Sequence, residues 1–322
     1  MAKPKIVCGI TMGDPSGIGP EVMLKALNYP GISNLAEYLV IGDGWVLEKL
    51  KVTIRKPQDF RVIDLKNVPR GGFAFGKVRR EYGKASMQYI DKAIELLKDK
   101  KIDCLVTGPV NKKSVNLSGY NFSGQTEYIS KPFAAKSAVM MLLNKKLRVS
   151  LVTRHIPLRN VVKNLNARII AGTIISTASG LKSFFSIKNP RIAVCAVNPH
   201  ASDNGVMGDE EAGLIAPAIA MARGGGVICQ GPYPADTLFA KAISGEYDCV
   251  ICMYHDQGLI PLKLTGLEDA VNITLGLPFA RTSPGHGTAF DIAGKGVANP
   301  RSFIEAVKTA VSCAMNLNPG KR

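Results

Sequence analysis

The chain is poor in several things at once. Its 322 residues include one tryptophan, four histidines and seven cysteines, and acidic residues are outnumbered 25 to 41 by lysine and arginine. Each scarcity excludes something. Aromatics make up 7% of the residues, and the short basic clusters Lys98–Lys101 and Lys145–Arg148 have no aromatic residue interleaved. Nucleic-acid surfaces combine clustered cations with stacking rings. The formal net charge of +16 is therefore not read as a nucleic-acid footprint. Solvated helix ends account for the clusters, and a basic field suits small anionic ligands. Long apolar runs are also missing. Ala134–Leu143 and Ile192–Val197 are too short or too interrupted to span a bilayer. The N-terminal residues run straight into strand-like sequence, without the apolar segment and cleavage site of a signal peptide. The expectation is a cytoplasmic protein with neither a membrane nor a nucleic-acid partner.

An odd number of cysteines, several inside apolar runs such as Ala193-Val194-Cys195-Ala196-Val197, argues for reduced core thiols and against a disulfide framework. Cys249-Val250-Ile251-Cys252 has C-x-x-C spacing. In a strand that spacing points the two thiols to opposite faces. Core packing is preferred over a redox or zinc role.

What the chain does have is alternation. Lys5–Thr11, Tyr38–Ile41, Arg61–Asp64, Cys104–Thr107, Val149–Thr153, Arg191–Val197, Val227–Cys229 and Cys249–Met253 read as strands. Pro20–Asn28, Glu81–Lys98, Ala167–Phe184, Glu210–Arg223, Ala235–Ser244 and Arg301–Leu317 read as helices. This succession predicts an α/β protein with a largely parallel sheet. No linker or repeat divides residues 1–322, so two interwoven lobes are expected, with no boundary legible.

Four stretches carry candidate chemistry. The first is Met12-Gly13-Asp14-Pro15-Ser16-Gly17-Ile18-Gly19-Pro20-Glu21. Strand, Gly-rich turn and helix in that order can cradle an anion on backbone N–H groups. The stretch is neither G-x-G-x-x-G nor a P-loop. A plain tight turn, with Pro20 opening the helix, is the other reading. Second, three of the four histidines, His155, His200 and His255, each stand just past a predicted strand. In a parallel sheet the strand C-termini share one edge, where ligands gather. Three imidazoles there can bind a divalent cation such as Zn, Mn or Co while leaving positions open for substrate oxygens. Asp256, beside His255, can orient that ligand or join it. Third, Lys263, Asn272 and Arg281 lie in apparent loop settings and can clamp a carboxylate and a phosphate. Fourth, the Gly-rich run Ser283–Gly296 includes Gly285, His286, Gly287, Thr288 and Asp291, and it can wrap a dinucleotide.

These residues bring a family into view. The first stretch resembles the N-terminal signature of the 4-hydroxythreonine-4-phosphate dehydrogenases of pyridoxal 5′-phosphate biosynthesis. Five further stretches resemble that family too: Thr107-Gly108-Pro109-Val110-Asn111-Lys112, Asn198-Pro199-His200, Pro234-Ala235-Asp236-Thr237, Tyr254-His255-Asp256-Gln257-Gly258 and Arg281-Thr282-Ser283-Pro284-Gly285-His286-Gly287-Thr288-Ala289, and the match runs in order from about Ile10 to Ala298. The resemblance implies a fold like isocitrate and isopropylmalate dehydrogenases, with an active-site cleft between the lobes. It implies a homodimer with the site at the subunit interface. His155, His200 and His255 match the family's metal ligands, one supplied across the dimer, for Zn, Mg, Co or Mn. Lys263, Asn272 and Arg281 match its substrate contacts. The implied reaction is oxidation of the C3 hydroxyl of 4-phosphooxy-L-threonine by NAD or NADP, then decarboxylation. Asp236, Asp256 and Lys263 are the candidate proton carriers. One position departs. The family's Gly-His-Thr-Glu is Gly124-Gln125-Thr126-Glu127 here, so Thr126 keeps its phosphate contact while Gln125 cannot become cationic. Threonate 4-phosphate, erythronate 4-phosphate or a related diol is the alternative substrate.

Overall fold

β-Branched and apolar runs of four to six residues separate amphipathic stretches of up to 19 residues, and each settles into the element its period favours. The computed structural model describes residues 5–50, 60–122, 124–135 and 138–321. The chain divides into two compact units, Met1–Ala135 with Leu277–Arg322, and Lys136–Gly276.

The first unit begins with β1 (Val7–Thr11), α1 (Gly19–Leu27), β2 (Glu37–Gly42), α2 (Gly44–Leu50), β3 (Phe60–Asp64), α3 (Arg80–Lys98), β4 (Cys104–Thr107), α4 (Lys112–Leu117) and α5 (Gln125–Ser130). The second unit contains β5 (Val139–Leu143), β6 (Arg148–Leu151), α6 (Ala167–Phe185), β7 (Ile192–Cys195), α7 (Ala216–Gly224), β8 (Cys229–Tyr233), α8 (Ala235–Ile243), β9 (Cys249–Cys252), α9 (His255–Gly266) and β10 (Val271–Leu275). The chain then returns to the first unit for β11 (Ala280–Pro284) and α10 (Arg301–Leu317).

In the first unit the strands run β3-β2-β1-β4-β11, all parallel. β4 is buried along its whole length, as a strand covered on both faces must be. α10 turns Phe303, Ile304, Ala306, Val307, Ala310 and Val311 inward. In the second unit the order is β10-β5-β6-β9-β7-β8. β6, β9, β7 and β8 are parallel, while β5 is antiparallel to both its neighbours. Val149, Leu151, Val250 and Cys252 form one core with Leu238 and Phe239 of α8 and Leu259 and Leu262 of α9. On the alternate face Ser150 receives the Thr177 hydroxyl of α6 at 2.9 Å. Burying each such aliphatic side chain is worth about 1.5–3 kcal/mol. All seven cysteines are buried thiols outside any disulfide. No helix among the described residues is long and apolar enough to cross a membrane.

The α/β class and the largely parallel sheet agree with the sequence. Some details differ. Lys98–Lys101 does close a helix, but Lys145–Arg148 lies in the hairpin joining β5 to β6. Asn144 Oδ1 caps that hairpin by accepting the Lys146 and Leu147 N–H groups at 2.9 Å. β8 starts where a strand was expected to end. Gly231 and Pro232 resemble turn residues, yet they fit an edge strand, where a missing N–H is tolerated. α9 was concealed by Gly258 and by Pro261 in its interior. Lys263, Asn272 and Arg281 are not loop residues. They stand on α9, β10 and β11 respectively. The polar content of Ala280-Arg281-Thr282-Ser283-Pro284 masked a strand that is buried throughout.

Candidate active site

In the second unit β6, β9 and β7 are adjacent and parallel. Their C-terminal ends therefore share one edge, and one histidine follows each: His155 after β6, His255 at the first position of α9 after β9, and His200 after β7. The rings of His155 and His255 meet with centroids 5.6 Å apart. Two imidazoles bound to one cation at about 2.0–2.1 Å put their ring centres about 5 Å apart, so this pair fits a shared metal. Asp256 Oδ1 lies 2.7 Å from His255 Nδ1, which orients the ring and leaves Nε2 for a ligand. His200 is exposed. Among the described residues no three His, Cys, Asp or Glu side chains close on one point.

Behind these histidines Gln257 (8% exposed) ties two strand ends together. Its Oε1 accepts from Met253 N–H and its Nε2 donates to the Ala196 carbonyl, both at 2.7 Å. The segment carrying His200 is unusual. His200, Ala201, Ser202, Asp203 and Asn204 all have left-handed φ, between 44° and 69°. Each such residue costs about 1–2 kcal/mol, less for Asp203 and Asn204, and persists only where surrounding contacts offset the strain. Asp236 is exposed in the first turn of α8, and Lys263 is exposed on α9. Asn272 is half-buried on β10, and its Oδ1 is buried without a hydrogen-bond partner.

The first unit holds a buried cation. Arg281 is 2% exposed. Its guanidinium donates to Thr107 Oγ1 at 2.5 Å, Gln125 Oε1 at 2.7 Å and Thr126 Oγ1 at 3.4 Å. Burial pulls its pKa down to about 10, so it stays charged at neutral pH. Gln125 also donates through Nε2 to the Gly108 carbonyl at 3.1 Å. The Glu127 carboxylate also acts on this charge and favours the cation, and a buried guanidinium held by side-chain oxygens has a geometry suited to an oxyanion.

The Gly-rich start is a tight turn held largely by its own unit. Four of its N–H groups are used inside the unit: Asp14 on Pro109 O, Ser16 on Asp14 Oδ1, Gly17 on Asp14 O and Ile18 on Thr288 O. A Cβ on Gly17 would lie 3.1 Å from Thr288, so glycine permits this approach. The same contact fixes the run containing Gly285, His286, Gly287, Thr288 and Asp291. That run is also pinned by Gly285 N–H on Ser302 Oγ at 2.8 Å, and further along by Glu21, which accepts from Gly296 and Ala298 N–H. His286 Nε2 is buried without a partner, and burial lowers the ring's pKa, keeping it neutral. Asp291 is exposed. The His286 Nε2 is thus open to a polar partner.

The family model described as "Pyridoxal phosphate biosynthetic protein PdxA" matches residues 20–310. The chain belongs to the PdxA family. Among its relatives, a 4-hydroxythreonine-4-phosphate dehydrogenase of Desulforapulum autotrophicum is 42% identical over 96% of either chain. A D-threonate 4-phosphate dehydrogenase of Cupriavidus necator is 43% identical over 96% of this chain and 97% of its own. The crystal structure of a 4-hydroxythreonine-4-phosphate dehydrogenase from Klebsiella pneumoniae matches with a TM-score of 0.86 at 36% identity, over 96% of this chain and 99% of that one. Against this family background, the residues that sequence reasoning passed over are Thr107, Gln257 and Glu211. Thr107 and Gln257 lay inside quoted motifs but had no assigned role. Glu211 had no local signal at all.

Proposed function

We propose that this chain is a metal-dependent NAD(P) dehydrogenase that oxidises 4-phosphooxy-L-threonine at its C3 hydroxyl. Decarboxylation then gives 3-amino-2-oxopropyl phosphate, on the route to pyridoxal 5′-phosphate. The observation that carries this reading is the His155–His255 ring pair at the shared strand edge, with Asp256 orienting His255. His155, His255 and His200 would hold the divalent cation (Zn, Mg, Co or Mn), one of the three supplied across a homodimer. When bound, the cation supplies acidity to the hydroxyl and polarisation to the ketone, and the nicotinamide supplies the hydride acceptor. Arg281, Thr107 and Thr126 hold the substrate's phosphate. Asn272, with its unpartnered Oδ1, accepts a hydrogen bond from a substrate N–H or O–H. The loop of Gly285, His286, Gly287, Thr288 and Asp291 receives the cofactor. Asp236 and Lys263 are the side chains left to move protons, because Asp256 is engaged with His255. Seven reduced thiols fit a cytoplasmic enzyme.

One observation favours a second substrate. Gln125 stands where the family carries histidine, and both ends of its amide are already used, on Arg281 and Gly108. Relatives named D-threonate 4-phosphate dehydrogenase are as similar as the others. NAD(P)H absorbance with 4-phosphooxy-L-threonine, D-threonate 4-phosphate and D-erythronate 4-phosphate, with each cofactor and metal, decides between them. A kcat/KM at least tenfold higher for the threonine phosphate is the expected result. The reverse order selects the second reading, and turnover of none of the three removes both.

A further inference from the structure

The left-handed run at His200 needs an anchor, and the structure supplies one from the next helical element, 9 to 14 residues further along the chain. Glu211 opens a one-turn π-helix, Glu211–Ile215. Glu211 is 4% exposed, and among the described residues no Lys or Arg forms an ion pair with its carboxylate. Instead it gathers four donors. Oε1 accepts the Val197 N–H at 2.8 Å and the Asn198 N–H at 2.9 Å. Oε2 accepts the Asn198 side-chain amide at 3.0 Å and the Ser202 hydroxyl. Neighbouring Glu210 takes the same Asn198 amide at 2.7 Å. One carboxylate thus grips the chain on both sides of His200, at residues 197–198 before it and at residue 202 after it.

A buried carboxylate without a counter-ion is unfavourable unless its hydrogen bonds do something that apolar packing cannot. Burial raises the Glu211 pKa, but the bonds from Ser202, Asn198 and Val197 outweigh burial and leave it lowered, so the group is ionised at neutral pH. Ionised, it accepts all four donors at once. The strained residues between its two grips therefore have one arrangement, and that arrangement sets where the His200 imidazole stands. π-Turns of this kind recur at functional sites.

We propose that Glu211 is the positioning residue for His200: its carboxylate, by clamping residues 197, 198 and 202, holds the left-handed loop in the form that presents the imidazole to the cation. This inference rests on the reading of His200 as a metal ligand. The test is equilibrium titration of the full-length, metal-stripped protein with Co2+, followed by the visible absorption of the bound ion. Wild type, Glu211→Gln, Ser202→Ala and His200→Ala are compared, with near-UV circular dichroism as the check on folding. Glu211→Gln keeps the shape but offers one acceptor oxygen in place of two, and should weaken Co2+ binding by about 10–100-fold. Ser202→Ala removes one donor only and should weaken it several-fold. The KM for NAD(P) should stay within twofold in both, whereas general unfolding would raise it. Wild-type Co2+ affinity in folded Glu211→Gln, with affinity lost in His200→Ala, overturns the positioning role and leaves the metal reading intact. Wild-type affinity in all three variants overturns both. If Glu211→Gln does not fold, Ser202→Ala decides, and an unchanged affinity there overturns the proposal.

Discussion

Arg281 shows how one side chain can combine structural and chemical demands. Its burial in a strand would be prohibitive for an unsatisfied charge, yet oxygens of Thr107, Gln125 and Thr126 surround it and the Glu127 charge favours the cation. Asp14 shows the opposite balance. It is fully buried, and burial lifts its pKa from 3.8 to about 6 despite the bonds from Ser16. The unfolded chain releases this proton near pH 3.8, whereas the native protein keeps it until about pH 6. Native stability therefore falls as pH rises through that window, and the loss persists above it. A shift of about two units corresponds to at most about 3 kcal/mol. Asp14→Asn removes the titration. Relative to wild type it should gain up to about 3 kcal/mol between pH 4 and pH 7, read from denaturant midpoints at the two values. A difference between variant and wild type that does not change with pH would refute this account of Asp14.

At the scale of elements, the helices are placed by close approach as much as by apolar faces. α3 crosses α4 at Gly83, where an added Cβ would overlap the Ser114 carbonyl. Alanine is the better helix former by about 0.5–1 kcal/mol, but a backbone carbonyl cannot swing aside as a side chain can. Gly83→Ala should therefore destabilise the first unit by about 1–3 kcal/mol net, seen as a lower urea midpoint. An unchanged or higher midpoint would show that the two helices can separate without loss. The strands make the complementary point. β6, β9 and β7 bring their C-terminal ends together because they are parallel neighbours, which makes one edge out of positions about 45 to 100 residues apart in sequence.

At the scale of the whole molecule, the candidate ligands are exposed or half-buried residues outside the core that holds the second unit together. Metal removal should then abolish turnover and leave the fold. Metal addition should stabilise by linkage, by about 2.7 kcal/mol at a hundredfold excess over Kd. We expect excess Mn2+ or Co2+ to raise the melting temperature of wild type, and to leave that of a His155→Ala, His255→Ala double variant unchanged. An equal rise in both would place the cation elsewhere.

Local pattern alone specified the α/β class, the reduced cysteines, most parallel strands and the approach of histidines to strand ends, because each depends on a residue's near neighbours and on period. It did not reveal β11, α9 or the hairpin at Asn144. Buried polar strands and helices containing proline are stable only through contacts that local propensity cannot register. The grip of Glu211 on the His200 segment and the ring of oxygens around Arg281 belong wholly to the tertiary structure. The Arg281 bonds join groups more than 150 residues apart and the Glu211 bonds groups 9 to 14 residues apart, beyond the reach of local period in both cases, and burial makes them strong by excluding the water that would otherwise compete.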